Sequence, residues 1–279
     1  MVHTNTFTAM IAVALGGLLA CSCTDREDEF LYQDLGTKKV VVSPNNTENP
    51  YDWVGVKHNI HLDEISSILF EEYDNPNNLE LSIVTSLTKE HLSELYDNTL
   101  VEPIINNGLY RCETEAELSE VLKNDIFSNT SEAYINSILS SIEKLKNDSY
   151  MSYKAYISEM ESRIVTDNKI QEVEKVVLLS FTSTLRHSIY YWYEPETSAK
   201  VKCKWLKIAL ADGKGALASG AQGAAIGAIA GTGGAVIGAS TGALIGAVAA
   251  SIEKAEQLDS IKEPVDDKPI EEPKPEIQN

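Results

Sequence analysis

The densest group of residues able to do chemistry is His58-Asn59-Ile60-His61-Leu62-Asp63-Glu64. On a helix, His58 and His61 share a face, and Glu64 or Asp63 could join them around one cation. Imidazole and carboxylate are ordinary zinc donors. The competing arrangement is a helix start capped by Asn59, with both histidines at the surface or hydrogen-bonded locally. We expect the second, because His91 and His187 stand alone in the sequence and no distant His or Cys cluster completes a site. Two other strings match catalytic motifs by letter. Gly238-Ala239-Ser240-Thr241-Gly242 has the spacing of a hydrolase nucleophile elbow, but that elbow needs a strand before the serine and a histidine after it. No histidine follows, and the string sits inside a glycine repeat. Asp212-Gly213-Lys214-Gly215 lacks the spacing of a phosphate-binding loop. Neither a cofactor nor an enzymatic activity is expected.

The elements that must carry these residues read as helices. Leu62, Ile65, Ile68 and Leu69 fall on one helical face. Ile135, Ile138, Leu139, Ile142 and Leu145 form a stripe opposed by Glu143, Lys144 and Lys146. Tyr150, Tyr153, Ile157, Met160 and Ile164 continue at similar spacing, followed by Ile170, Val173, Val177, Phe181 and Leu185. Thr114 and Glu117 make a capping-box pattern ahead of Leu118. Asp74-Asn75-Pro76-Asn77-Asn78 and Asn106-Asn107-Gly108 punctuate the chain. Strand-like alternation is scarce, and Lys200-Val201-Lys202-Cys203-Lys204-Trp205 is its clearest instance. The expected fold class is all-α: a bundle over residues 51–210, then a Gly/Ala-rich helical hairpin over 211–252. A flexible tether (21–50) and a disordered acidic, proline-rich tail (253–279) flank them.

The hairpin segment is the most unusual stretch. From Gly215 to Ile252 no residue is charged, and Gly223, Gly227 and Gly231 repeat every four positions, as do Gly234, Gly238, Gly242 and Gly246. Residues four apart share a helical face, and glycine there lets a second backbone approach closely. Glycine costs about 1 kcal/mol relative to alanine inside a helix, so a stripe of them implies something packed against it. The pattern resembles the glycine zippers of many bacterial envelope proteins. The break at Gly231-Thr232-Gly233-Gly234 predicts the turn, with arms of roughly 25 Å each at about 1.5 Å per residue. Lys200, Lys202, Lys204 and Lys207, with Trp205 among them, precede the uncharged stretch. They suit either a membrane interface or a solvated basic segment facing the acidic body. Tyr190-Tyr191-Trp192-Tyr193 offers either a sugar-stacking patch or helix-end core.

The address comes from the N-terminus. Ala9 to Ala20 is an apolar run too short to cross a hydrocarbon core of about 30 Å but suited to a signal-peptide core. It ends in Leu18-Leu19-Ala20-Cys21, which resembles the lipobox of bacterial lipoproteins. That resemblance implies cleavage after residue 20, lipidation of Cys21 and membrane lipid as the partner of its acyl chains. Ser22, directly after the cysteine, resembles an outer-membrane sorting signal. Asp25-Arg26-Glu27-Asp28-Glu29 resembles a surface-export signal, and Asp259-Ser260-Ile261 an O-glycosylation acceptor. Gly55-Val56-Lys57-His58-Asn59, with Leu62-Asp63, resembles the opening of uncharacterised cell-envelope proteins. With Cys21 lipidated, Cys23, Cys112 and Cys203 remain, enough for one disulfide and a spare thiol.

The formal net charge of −19 over 279 residues, with pI near 4.6, disfavours nucleic acid as a partner. Three functions remain open. The one we expect is a non-enzymatic, outer-membrane-anchored lipoprotein whose hairpin mediates helix packing, homo-oligomerisation or membrane contact. The others are a membrane-permeabilising protein and a metal-dependent enzyme using His58 and His61.

Overall fold

The computed structural model describes residues 43–112, 115–123, 126–145, 149–193 and 199–262. The signal segment, Cys21, Cys23 and the acidic tail beyond Lys262 therefore lie outside the described residues, as does Thr114 of the capping-box pattern. Among the described residues the protein is all-α, with no strand. The helices are α1 (Asp52–Glu72), α2 (Leu81–Leu95), α3 (Asn98–Asn107), α4 (Glu115–Leu122), α5 (Asn129–Lys144), α6 (Tyr150–Thr166), α7 (Glu172–Trp192), α8 (Ala199–Gly227) and α9 (Thr232–Gln257).

Local chemistry sets several boundaries. The Asp97 carboxylate accepts from Thr99 N at the start of α3, and Gly108 ends that helix in the left-handed region at φ +62. Ser128 accepts from Ser131 N at the start of α5. The apolar stripes bury as their spacing demands: Ile135, Ile138 and Ile142 on α5, Tyr153, Ile157 and Ile164 on α6. The pair α5–α6 then covers one side of α7.

Three long helices make the centre. α8 and α9 form an antiparallel hairpin, and α7 lies against both. α1 covers α7 and α9, while α2 and α3 cover α9. α7 is buried almost all round from Val176 to Ile189, polar side chains included. Its Arg186 is fully buried and donates to Glu161 on α6 (3.0 Å) and to Asp52 on α1 (2.6 Å). Burial alone would raise the Asp52 carboxyl, but His187 and Arg186 outweigh it and hold it at about 2.

Four expectations change here. The alternating Lys200–Trp205 segment is helix, not strand. Trp205, Leu206, Ile208 and Ala209 all face the core, a helical rather than a two-fold repeat, and tertiary burial overrides the local alternation. The boundary expected at residue 210 falls inside α8, so hairpin and body share one helix and one hydrophobic core. The expected end at residue 252 is overrun, because Glu253 is buried and bonded into the body and α9 continues to Gln257. The tether ends sooner than residue 50. Asn46 and Asn49 donate to Glu161 (2.6 and 2.7 Å), which stitches the chain to α6 before α1 begins.

Candidate functional site

The hairpin is built backbone on backbone. A Cβ on Gly223 would land on the Gly238 carbonyl, and one on Gly227 would land on the Gly234 carbonyl. Gly242 meets the Ser219 carbonyl, and Gly246 meets Gly215, whose own Cβ would lie 2.6 Å from the Gly246 oxygen. Glycines from the two arms thus fill each other's space within one chain. Gly215 and Ser219 belong to this contact too, and they continue the four-residue register of Gly223 and Gly227 toward the base. Gly231 does not. It sits in the turn at φ +87 with nothing within 4 Å, so its role is conformational rather than packing. The turn comes slightly earlier than expected, closed by Ala228–Ala230, and the arms are longer. α8 runs about 43 Å and α9 about 39 Å at 1.5 Å per residue.

The hairpin has two unlike ends. At the base, Glu253 is buried and receives two bonds from Arg111 (2.6 and 2.7 Å), one from Tyr110 (2.5 Å) and one from Thr85 (2.6 Å). Lys204 donates to the Leu258 carbonyl at 2.6 Å, and Lys207 is exposed. The lysines lie at this end, a full helix length from the turn. At the tip, Ile229 is 92% exposed and Ile237 65% exposed. Together with Ile226, Ala230, Thr99 and Leu100 they line a shallow apolar groove. Among the described residues α9 is the one helix long and apolar enough to cross a membrane, and most of it is buried within the bundle.

The histidines separate. His58 is fully buried, and its Nε2 lies 3.5 Å from Asp212 Oδ2 of α8. Its Nδ1 lies 2.9 Å from Asn59 Oδ1, and Asn59 in turn donates to the His187 carbonyl at 3.1 Å. Asn59 is therefore an inner α1 residue that holds His58, not the helix cap; α1 starts at Asp52. Asp212 accepts from Ser188 of α7 and, at 3.0 Å, from Ser251 of α9. Burial pushes Asp212 up to about 8 and His58 down to about 4, each toward its neutral form. Serine, histidine and aspartate are all present, yet the serines bond the acid rather than the imidazole and nothing here reaches solvent. The order needed for nucleophilic attack is missing.

His61 turns elsewhere. Its Nδ1 lies 2.8 Å from Glu64 Oε2, and its Nε2 lies 2.7 Å from the Tyr96 hydroxyl. His91 of α2 joins them, with Nε2 3.1 Å from the same Glu64 oxygen. His91 and His187 are thus not solitary, since His187 Nε2 contacts Asp52 Oδ1 at 3.1 Å. A joint metal centre on His58 and His61 does not form, because one ring points into the core and the other toward α2.

The remaining motifs are structural. Ser240 sits within α9 and bonds back to the carbonyls of Val236 and Ile237, the geometry of a helical serine rather than an elbow. Of the aromatic run, Trp192 is buried, Tyr191 donates to Asp63 (2.8 Å) and Tyr193 packs edge-on to Trp205. Cys112 is buried, which pushes its thiol up to about 11; the side chain of Cys203 is outside the described set. Comparison with protein-family models, curated proteins and solved structures finds no match.

Proposed function

We propose that this is a lipid-anchored protein of the bacterial cell envelope, without enzymatic activity, that meets a membrane with the tip of its α8–α9 hairpin. One observation supports this above the others: two large aliphatic side chains, Ile229 and Ile237, stand exposed at the end of a segment with no charge from Gly215 to Ile252. The charged residues of α8 and α9 come no nearer the turn than Lys214 and Glu253. An uncharged apolar tip can enter the interfacial layer of a bilayer although the rest of the molecule is acidic and repelled by anionic headgroups.

The lipobox reading supplies the second half. Acyl chains contribute about 0.8 kcal/mol per buried methylene, so a multiply acylated Cys21 would anchor the chain by itself. Attachment through Cys21 would keep the tip at high effective concentration near lipid. A weak tip contact is then enough. The glycine stripe serves intramolecular packing in this arrangement. Homo-oligomerisation through it would require the hairpin to open.

The test has two arms. Mass spectrometry of the membrane fraction should find an acylated peptide beginning at Cys21; a chain still carrying residues 1–20 sinks the anchor. For the tip, a Cys21→Ser chain should float with zwitterionic vesicles, and Ile229→Asp with Ile237→Asp should abolish flotation. A wild-type tip that never floats removes the contact.

A second reading has its own observation. α9 satisfies the length and hydropathy of a crossing helix while being sheathed by α1, α2, α3 and α7. A sheathed apolar hairpin is what a membrane-permeabilising protein would release. Dye escape from vesicles separates the two readings, since a protein that only touches the surface leaves the dye inside.

A further inference from the structure

We infer that His61, Glu64 and His91 form a binding site for a zinc-class divalent ion that joins α1 to α2. The site is independent of the tip reading. His61 and Glu64 are three apart on α1 and so share a face, and His91 comes from the facing side of α2. His61 Nδ1, Glu64 Oε2 and His91 Nε2 form a small triangle with sides of 2.8, 3.1 and 3.4 Å. Tetrahedral zinc with bonds of about 2.0–2.1 Å places neighbouring donors about 3.3 Å apart. The triangle therefore needs to open by no more than about half an ångström, which one rotation of the exposed Glu64 carboxylate supplies.

The surroundings fit a ligand role. The Tyr96 hydroxyl lies 2.7 Å from His61 Nε2, the outer partner that fixes a histidine's tautomer and leaves the Nδ1 lone pair for a metal. The His61 and His91 rings meet edge-on at 5.4 Å between centroids, with both nitrogens turned to one carboxylate oxygen. Two ring nitrogens 3.4 Å apart, both facing that oxygen, need protons there or a cation, and a dication replaces the two protons. Glu64 is 47% exposed, which opens the fourth position to solvent and gives the ion a way in. Two histidines and one glutamate form a donor set that zinc takes readily. Because α1 and α2 both cover α9, an ion here would tie together two of the helices that sheath the hairpin.

The experiment uses the full chain, purified in detergent and stripped with chelator. Zinc titration by calorimetry should give one ion per chain, with a Tm rise of roughly 5–10 °C at a hundredfold excess over Kd. Cobalt should give the visible absorption of a tetrahedral complex. His91→Ala and Glu64→Gln should each weaken binding at least about tenfold while leaving the metal-free Tm within a few degrees, since neither side chain is fully buried. Absence of stoichiometric binding below about 100 μM would leave the triad a plain hydrogen-bond cluster and overturn the proposal. Unchanged affinity in both variants would place the ion elsewhere and overturn it equally.

Discussion

The two ends of the α8–α9 hairpin are held by opposite means. At the base, buried Glu253 is clamped by Arg111, Tyr110 and Thr85, and Asp212 by Ser188 and Ser251. Each bond is directional, and together they reach α2, α7, α9 and the short turn Leu109–Arg111. Toward the tip no charged group remains, and the arms cohere through shape alone, with Gly223 and Gly227 against Gly238 and Gly234. Dispersion between close backbones is strong in sum but falls off steeply with distance. The base is therefore tolerant of small shifts and intolerant of lost partners. The tip is the reverse.

The largest effect should come from adding bulk to the shape-held half. Gly238→Leu or Gly223→Leu drives a side chain into a backbone carbonyl that cannot retreat, and should cost about 3 kcal/mol or more, read as a much lower Tm by circular dichroism. An unchanged melt would mean that the arms are not in contact there. Removing a partner at the base comes next. Glu253→Gln keeps the volume but loses the charge facing Arg111; since that arginine is about half exposed, the cost should be near 2 kcal/mol rather than that of a fully buried pair.

Asp212 sharpens the contrast through pH. Its folded pKa of about 8 exceeds the unfolded value near 3.8, so the folded chain retains a proton that the unfolded chain gives up. That contribution is complete below pH 4 and is lost as pH rises to 8. His58, lowered to about 4 from 6.5, acts oppositely: its contribution is present above pH 6.5 and lost as pH falls toward 4. Asp212→Asn should therefore raise Tm at pH 8 and leave stability declining only on the acid side. A variant with the parent's slope between pH 6.5 and 8 would show that the carboxyl is ionised in the fold. The smallest effect belongs to the tip surface, where Ile229→Ser should change stability by less than about 0.5 kcal/mol because the side chain is already in solvent.

Much of the fold was legible in the residue order. Ile135, Ile138 and Ile142 announce the buried face of α5, Asn106-Asn107-Gly108 announces the end of α3, and the glycine repeat announces an intimate helix pair. These signals are local, written within one or two turns. The Lys200–Trp205 alternation misled for the complementary reason: a six-residue pattern competes poorly with the burial of Trp205, Leu206, Ile208 and Ala209 in the core. The candidate site was half visible. His61 with Glu64 could be paired by spacing, but His91 lies thirty positions away and carries no mark of its role until α2 turns back over α1.

From the sequence by itself came the helical class, the uncharged glycine-striped segment and the acidic balance of charge, because each depends on composition or on a period of four residues or fewer. The tertiary structure alone decided which face met which. It turned the glycine stripe inward on its own chain, buried Asp212 and His58 where desolvation favours the neutral form of each, and drew His91 to His61. Contacts between residues far apart in sequence are selected by the burial of the whole chain at once, and no short window of residues contains that sum.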